Sequence, residues 1–354
     1  MTAPDYAVLE RVEPAGAAEL GEILRAAGPE RPVRLIGTGT AQARLPAPAR
    51  PATVVAGTRL CAIRRLEADD LTCSVEPGLP RAELDAALAA KGLCLPCAGN
   101  GTLGGLFAAG EVTALAPGAF APRSLLLGLE GLLGDGTAFK CGAKVVKSVA
   151  GFDLHKVFVG SRGTLFAATL LHLKLRPRPR ASTWFANGGL AAPEALHLWH
   201  ALRREAEPFA ALALARGADG WVVHGRVEGS PAFVRQRLHR HALRESDTPQ
   251  PLELVTPAGH ESVRGLVLPS RLAELLAELP AAAPFLVHGT GLFATTLRPE
   301  AADRFLARLP ALAATGEVAA AAPARRGRAT PRDPTADALA RRLKQALDPR
   351  GVFC

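Results

Sequence analysis

Three glycine-rich segments in the first half of this 354-residue chain constrain its fold more than any other feature. They are Gly37-Thr38-Gly39-Thr40-Ala41, then Gly99-Asn100-Gly101-Thr102-Leu103-Gly104-Gly105 running on to Gly110, and finally Gly151-Phe152-Asp153 with Gly160-Ser161-Arg162-Gly163. Without side chains in the way, such turns bring backbone N–H groups close to a ligand, and successive amides favour anions. The first segment follows a strand-like run, Pro32 to Ile36, which invites comparison with a dinucleotide-binding βαβ unit. The residues reject it. Gln42 stands where the third glycine belongs, and Pro46, Pro48 and Pro51 forbid the helix that should face a pyrophosphate. Taken singly, each segment can equally be read as a tight turn that needs positive φ angles.

Periodicity supplies the elements around these turns. Leu20, Ile23 and Leu24 share one face of a helix over 17–27, and Leu84, Ala87 and Leu88 do so over 81–91, where Gly92 stops it. Residues 72–75 read as a strand, and 124–141 as a hairpin around Gly134-Asp135-Gly136. The cleanest strand is 164–176, in which Leu171, Leu173 and Leu175 alternate with His172, Lys174 and Arg176. The run Arg176 to Arg180 breaks that alternation, so a first domain is expected over 1–178, a second over 179–330, and a C-terminal helix and tail over 331–354. In the second domain helices are expected at 193–206, 231–244 and 299–309, with another capped by Ser270 and ending near Leu279. A strand at 220–227 and a hairpin across 284–297 complete an α+β layer, and the Ala-, Arg- and Pro-rich stretch 315–333 reads as a mobile loop.

The formal net charge of +9 suits an anionic partner, but the arginines are scattered and no basic–aromatic stripe or nucleic-acid-binding signature accompanies them. The most apolar stretch, Leu125 to Leu133, is interrupted by Gly128, Glu130 and Gly131 and falls well short of the ~20 residues needed to span a bilayer. The opening Met1 to Tyr6 does not read as a signal peptide. The expected setting is therefore cytoplasmic with reduced thiols, with no nucleic acid bound and any contact with the inner membrane face made through partners.

The segment from Lys147 to Arg180 resembles a known family. Its Gly160-Ser161-Arg162-Gly163-Thr164-Leu165 is similar to the GSxGTL segment of the FAD-binding enzymes typified by vanillyl-alcohol oxidase and p-cresol methylhydroxylase. The preceding Gly151-Phe152-Asp153-Leu154 resembles the flavin subunits of bacterial glycolate oxidase and the D-lactate dehydrogenases. The longer string, and the ending Leu343 to Phe353, look most like the E-type subunit of glycolate oxidase, as does Pro122-Arg123 to Gly128. The resemblance covers roughly 30–178 and 335–353 and is weak over about 180–330.

The resemblance implies a two-subdomain α+β FAD-binding domain of the p-cresol methylhydroxylase type, followed by a smaller α+β cap. It implies FAD held by Gly37, Thr38, Gly39, Thr40 and Ala41, by Gly101, Thr102, Gly104 and Gly105, and by Gly151, Asp153, Gly160, Ser161 and Gly163, with Ala167 at the strand start under a ring. It implies oxidation of a small 2-hydroxyacid, in which a hydride leaves the substrate carbon for the flavin and a base takes the hydroxyl proton. Electrons would leave through a complex containing a sister FAD subunit and an iron–sulfur subunit. Two other roles stay open: a flavin-binding relay or scaffold subunit without its own substrate site, and a degenerate interaction subunit without flavin.

Two departures from the family matter. Relatives with covalent flavin carry a His where this chain has Thr40, so FAD is expected to be non-covalent. The loop between Cys97 and Thr102 is also shortened. No catalytic base is assigned. Cys94 and Cys97 have CxxC spacing but no second pair, which favours structural thiols over a metal site. His224 and His288 fall on expected strands, where either could face a flavin though an isolated strand histidine is more often structural; no histidine pair is seen, and no metal is expected.

Overall fold

The strand-and-turn pattern folds into two compact units. The structure, a computed structural model, describes residues 6–42, 45–97, 99–110, 121–144, 153–217, 219–247, 254–331 and 333–354. The first unit comprises Met1–Glu111, Ala121–Arg178 and Arg332–Cys354, so the C-terminal segment belongs to it, and the second contains Pro179–Pro331.

The first unit is built on two sheets. A three-stranded parallel sheet has the order Val8–Val12, Ala52–Ala56, Val33–Ile36. Its middle strand is buried along its whole length, as a parallel strand covered on both faces must be. The second sheet is antiparallel, in the order Ile63–Glu67, Thr72–Val75, Ala167–Lys174, Leu126–Leu132, Ala138–Gly142. Alternation in its central strand points Leu171 and Leu173 into the core. The expected hairpin is present, and its Gly136 has φ 81°. Helix Ala17–Ala26 buries Leu20 and Leu24, and helix Arg81–Ala89 buries Leu84 and Leu88, in one continuous core with both sheets.

The last residues are stitched into this core. Val33 donates to the carbonyl of Val352 at 2.7 Å, and Cys354 donates to that of Val33 at 3.0 Å. The buried Asp348 carboxylate accepts from the amides of Val352 and Phe353 and pairs with Lys344 at 2.6 Å.

The second unit is an eight-stranded antiparallel sheet in the order Glu245–Ser246, Ala181–Leu190, Gly220–Gly229, Ala211–Gly217, Phe285–His288, Leu292–Leu297, Glu261–Leu266, Thr315–Ala320. Helices Ala192–Arg203, Pro231–Arg240, Leu272–Ala277 and Pro299–Arg308 bury Trp199, Val234, Leu275 and Phe305 in a core with Val223, Phe285 and Phe293 of the sheet. Two expectations are corrected here. Residues 315–320, taken as loop, form the edge strand beside Glu261–Leu266, because Val318 fills the core while the flanking alanines give little strand signal of their own. Ser270 caps no helix: it lies in a short 3₁₀ turn, Pro269–Arg271, ahead of the helix at Leu272.

The sheet also brings together two histidines that are remote in sequence. Ala213 is registered against His224 on one side and His288 on the other, so the two flank a single alanine about 10 Å apart in backbone terms. They alternate with Val223 and Val287, whose side chains enter the helix-covered core, and so point to the opposite face. Both are buried, and neither nitrogen of His224 nor Nδ1 of His288 has a hydrogen-bond partner among the described residues. Burial lowers His224 to about 4. Burial, then the charge of His224 and that of Arg264, lower His288 to about 3.

Imidazoles held neutral in the fold but free to protonate when unfolded make stability depend on pH. Below the ordinary value of 6.5 the unfolded chain takes up protons that the folded chain refuses. Stability of the second unit should be flat above about pH 6.5 and fall as pH drops toward 4 and 3, by about 1.4 kcal/mol per pH unit for each histidine. Urea unfolding at a series of pH values measures this slope. It should flatten in a His224→Leu, His288→Leu double variant, and an unchanged slope would contradict the assignment.

A candidate cofactor cleft

The first unit contains a cleft of about 110 Å³. Its walls come from the three glycine-rich segments and the turn Pro77-Gly78.

The centre of the site is a short helix, Leu103–Ala109, gripped at both ends. At its start, Leu103 donates to the Leu79 carbonyl at 3.0 Å, Gly104 donates to that of Pro77 at 2.7 Å, and the Thr102 hydroxyl accepts from the Gly105 amide at 3.3 Å. At its end, the Phe107 carbonyl accepts from Gly160 at 3.3 Å and that of Ala108 from Arg162 at 2.8 Å. Gly110 closes the helix with φ 62°, and a Cβ there would lie 2.6 Å from the Gly160 nitrogen.

The first loop lies against this helix. A Cβ on Gly37 would overlap the buried Thr102 hydroxyl, so only glycine allows the approach. A Cβ on Gly101, at φ 83°, would lie 2.6 Å from the hydroxyl of Thr40. Arg34, at the loop's base, donates to Gln42 Oε1 at 3.3 Å, to the Cys354 carbonyl at 3.0 Å and to that of Pro46 at 3.2 Å. The shortened second loop is seated too: Arg81 donates from its guanidinium to the carbonyls of Leu95 and Cys97 and from its amide to that of Gly101. The buried Cys97 thiol is pushed up to about 11 by burial, and Cys94 and Cys97 are both free.

The expected residues divide into those that line the cleft and those that shape it. Gly37, Thr38, Gly39, Thr40, Ala41, Thr102, Gly104, Gly105, Gly163 and Ala167 line it. Gly101, Gly160 and Ser161 do not. Gly160 and Ser161 build the turn, Ser161 by accepting from the Gly163 amide through its hydroxyl at 3.4 Å. Asp153 is exposed at the start of a 3₁₀ turn, Leu154–Phe158, away from the lining, and Gly151 lies outside the described residues. The lining also includes Gln42, Pro77, Gly78, Ala108, Phe158 and Arg162, which the sequence reading left unassigned. The Arg162 signal was present in the third motif, where the variable position carries a charge.

The donor inventory fits the phosphate part of FAD at the first loop more than at the second. The amides of Leu103, Gly104 and Gly105 already have acceptors within the chain. Those of Thr38, Gly39, Thr40 and Ala41 have none among the described residues, and the buried Thr38 hydroxyl is likewise unpartnered. Buried polar groups left without partners are uncommon, and a glycine-rich turn presenting several of them suits a bound anion.

Comparison with known proteins gives partial matches to flavin-binding relatives. Residues 9–142 match the family described as FAD binding domain. Glycolate oxidase subunit GlcE of Escherichia coli is 36% identical over 118 residues, 32% of this chain and 34% of that subunit. Glycolate oxidase subunit GlcD of Bacillus subtilis is 31% identical over 175 residues, 48% of this chain and 37% of that subunit. The match thus spans only about a third of the length of these relatives. Among solved structures, alkyldihydroxyacetonephosphate synthase superposes with a TM-score of 0.70 at 13% identity, over 97% of this chain and 75% of that one. The fold is α+β in two compact units, like that of this solved structure, and the first unit carries the residues that match the FAD binding domain.

Proposed function

We propose that this chain is the FAD-binding subunit of a glycolate-oxidase-like complex that oxidises a small 2-hydroxyacid. One observation carries the reading: three separate glycine-rich segments converge on one cleft, with the unpartnered amides of Thr38 to Ala41 in its wall. The partial matches to GlcE and GlcD support the substrate class and a complex of several subunits; a sister flavin subunit and an iron–sulfur subunit are what the family resemblance implies. A match to a D-lactate dehydrogenase of Arabidopsis thaliana, 33% identical over 122 residues, points to the same class. Bound FAD would supply the two-electron acceptor for the substrate's CH–OH carbon.

The chain's own residues would hold and shield that group. The first loop donates amides and the Thr38 hydroxyl, Ala167 and Ala168 keep the wall beside it flat, and Thr40 in place of a histidine leaves the attachment non-covalent. The relay reading has a specific observation in its favour. Among the described residues lining the cleft none is His, Asp, Glu, Lys, Tyr or Cys, so none of them is a candidate general base. Within the described residues no helix is long and apolar enough to cross a membrane, so membrane contact would fall to partners.

The purified chain should be yellow, and acid should release free FAD; colourless protein that ignores added FAD overturns the proposal. Bleaching of the isolated chain by glycolate or D-lactate would assign it the oxidation, whereas bleaching only with partners present would assign it the relay.

Two glycine variants separate cofactor from scaffold. A Cβ on Gly104 would lie 2.7 Å from Pro77 Cβ and 2.9 Å from its carbonyl oxygen, so Gly104→Val should cost about 1–3 kcal/mol of stability by overpacking. A Cβ on Gly105 meets only the Thr102 hydroxyl, at 3.2 Å, and extends into the cleft. Gly105→Val should therefore melt near the wild-type apoprotein yet retain at least about tenfold less FAD, a factor worth about 1.4 kcal/mol. Undiminished flavin in that variant would contradict the cleft's assignment.

A further inference from the structure

We propose that Arg162 neutralises the diphosphate of FAD and makes this cleft prefer FAD over flavins that lack phosphate. The inference rests on the FAD reading above and adds to it a named cationic residue.

The first ground is charge. Among the described residues that line the cleft, Arg162 is the only one with a formal charge. Backbone amides and a threonine hydroxyl can accommodate an oxyanion, but a dianionic diphosphate taken out of water calls for a compensating cation. A guanidinium meets phosphate oxygens with two parallel hydrogen bonds, stronger than those from neutral donors.

The second ground is backbone conformation. Arg162 has φ 56°, in the left-handed region, which costs a residue with a Cβ roughly 1–2 kcal/mol. Gly160 and Gly163 beside it have φ 83° and 75°, and glycine serves both without strain. The same turn thus uses glycine at two left-handed positions and a long cationic side chain at the third. The conformation is fixed by the 2.8 Å bond from the Arg162 amide to the Ala108 carbonyl, at the end of the helix that forms the cleft wall. Strain held in place by its surroundings, at a cleft, points toward function.

The third ground is position. Gly163, the next residue, packs toward Leu35 of the strand that leads into the first loop, with a Cβ position 3.4 Å from that of Leu35. Arg162 and the residues Thr38 to Ala41 line the same cleft. Arg34, beneath that loop, is pushed below its ordinary value first by burial and also by the positive charge of Arg162. Arg34 is committed to Gln42, Pro46 and Cys354, so an anion near Arg162 would relieve this repulsion without disturbing the loop's anchor.

The test is titration of the apoprotein with FAD and, separately, with riboflavin, followed by flavin fluorescence, for the wild type and for Arg162→Gln, Arg162→Gly and Arg162→Lys. The glycine variant removes the charge and also relieves the left-handed backbone, so its apoprotein should melt no lower than wild type. Arg162→Gln and Arg162→Gly should bind FAD about 10- to 100-fold more weakly, the loss expected for a charge-assisted hydrogen bond, with riboflavin binding changed less than about twofold. Arg162→Lys should recover part of the loss. Raising salt from about 50 mM to about 500 mM should weaken FAD binding in the wild type more than in Arg162→Gly. Unchanged FAD affinity and salt dependence in Arg162→Gly, or a parallel loss of riboflavin, would overturn the proposal. Failure of the wild-type chain to bind FAD would instead overturn the cofactor reading on which it rests.

Discussion

The site depends on the close approach of Gly37 to Thr102. A hydroxyl occupies the space a Cβ would need, so two loops more than sixty residues apart in sequence share one wall. The same Thr102 hydroxyl caps the short helix Leu103–Ala109, and the other end of that helix holds the third glycine-rich segment through Gly160 and Arg162. Seven residues of helix are too few to be stable alone. They hold here because the Pro77–Leu79 turn and the 160–162 turn take up backbone groups that a free helix would leave to water. The cleft is the space left between these mutually supporting pieces.

This arrangement divides the work among the glycines. Gly104 lets the helix sit on the backbone of Pro77, Gly110 lets the end of that helix touch the turn at Gly160, and Gly105 leaves room in the cleft itself. An identical residue type at neighbouring positions thus serves packing at one and ligand space at the next. Amides follow the same division. Those of the second segment are committed to holding the helix, while those of the first remain for an anion. In the second unit His224 and His288, on either side of Ala213, are kept neutral by burial, and among the described residues three of their four ring nitrogens have no partner.

Much of the first unit was legible from residues. Helix 81–91, the hairpin around Asp135-Gly136 and the alternating strand ending at Lys174 each carry a local signal, and each is present within a few residues of its expected place. Local signals failed where packing alone decides. The strand Ala211–Gly217 alternates leucine with alanine, both strong helix formers, and was not anticipated; burial against neighbouring strands overrides their propensity. The edge strand Thr315–Ala320 was hidden in the same way by its alanines, with only Val318 marking its buried face. At the site, ten of the expected residues line the cleft, while Arg162 and the Pro77-Gly78 turn went unassigned because nothing local says which side of a turn faces a cavity.

By itself the sequence determined that no βαβ phosphate loop follows the strand Val33–Ile36. Gln42 and the prolines at 46, 48 and 51 exclude that helix whatever surrounds them. It also determined that Thr40 offers no imidazole for a covalent flavin bond. Tertiary structure alone decided which amides remain available and which charge lines the cleft. It also paired His224 with His288. Those outcomes depend on which carbonyl lies opposite each N–H and on how strands register across a sheet. Contacts made by residues far apart along the chain set both, and no local pattern records them.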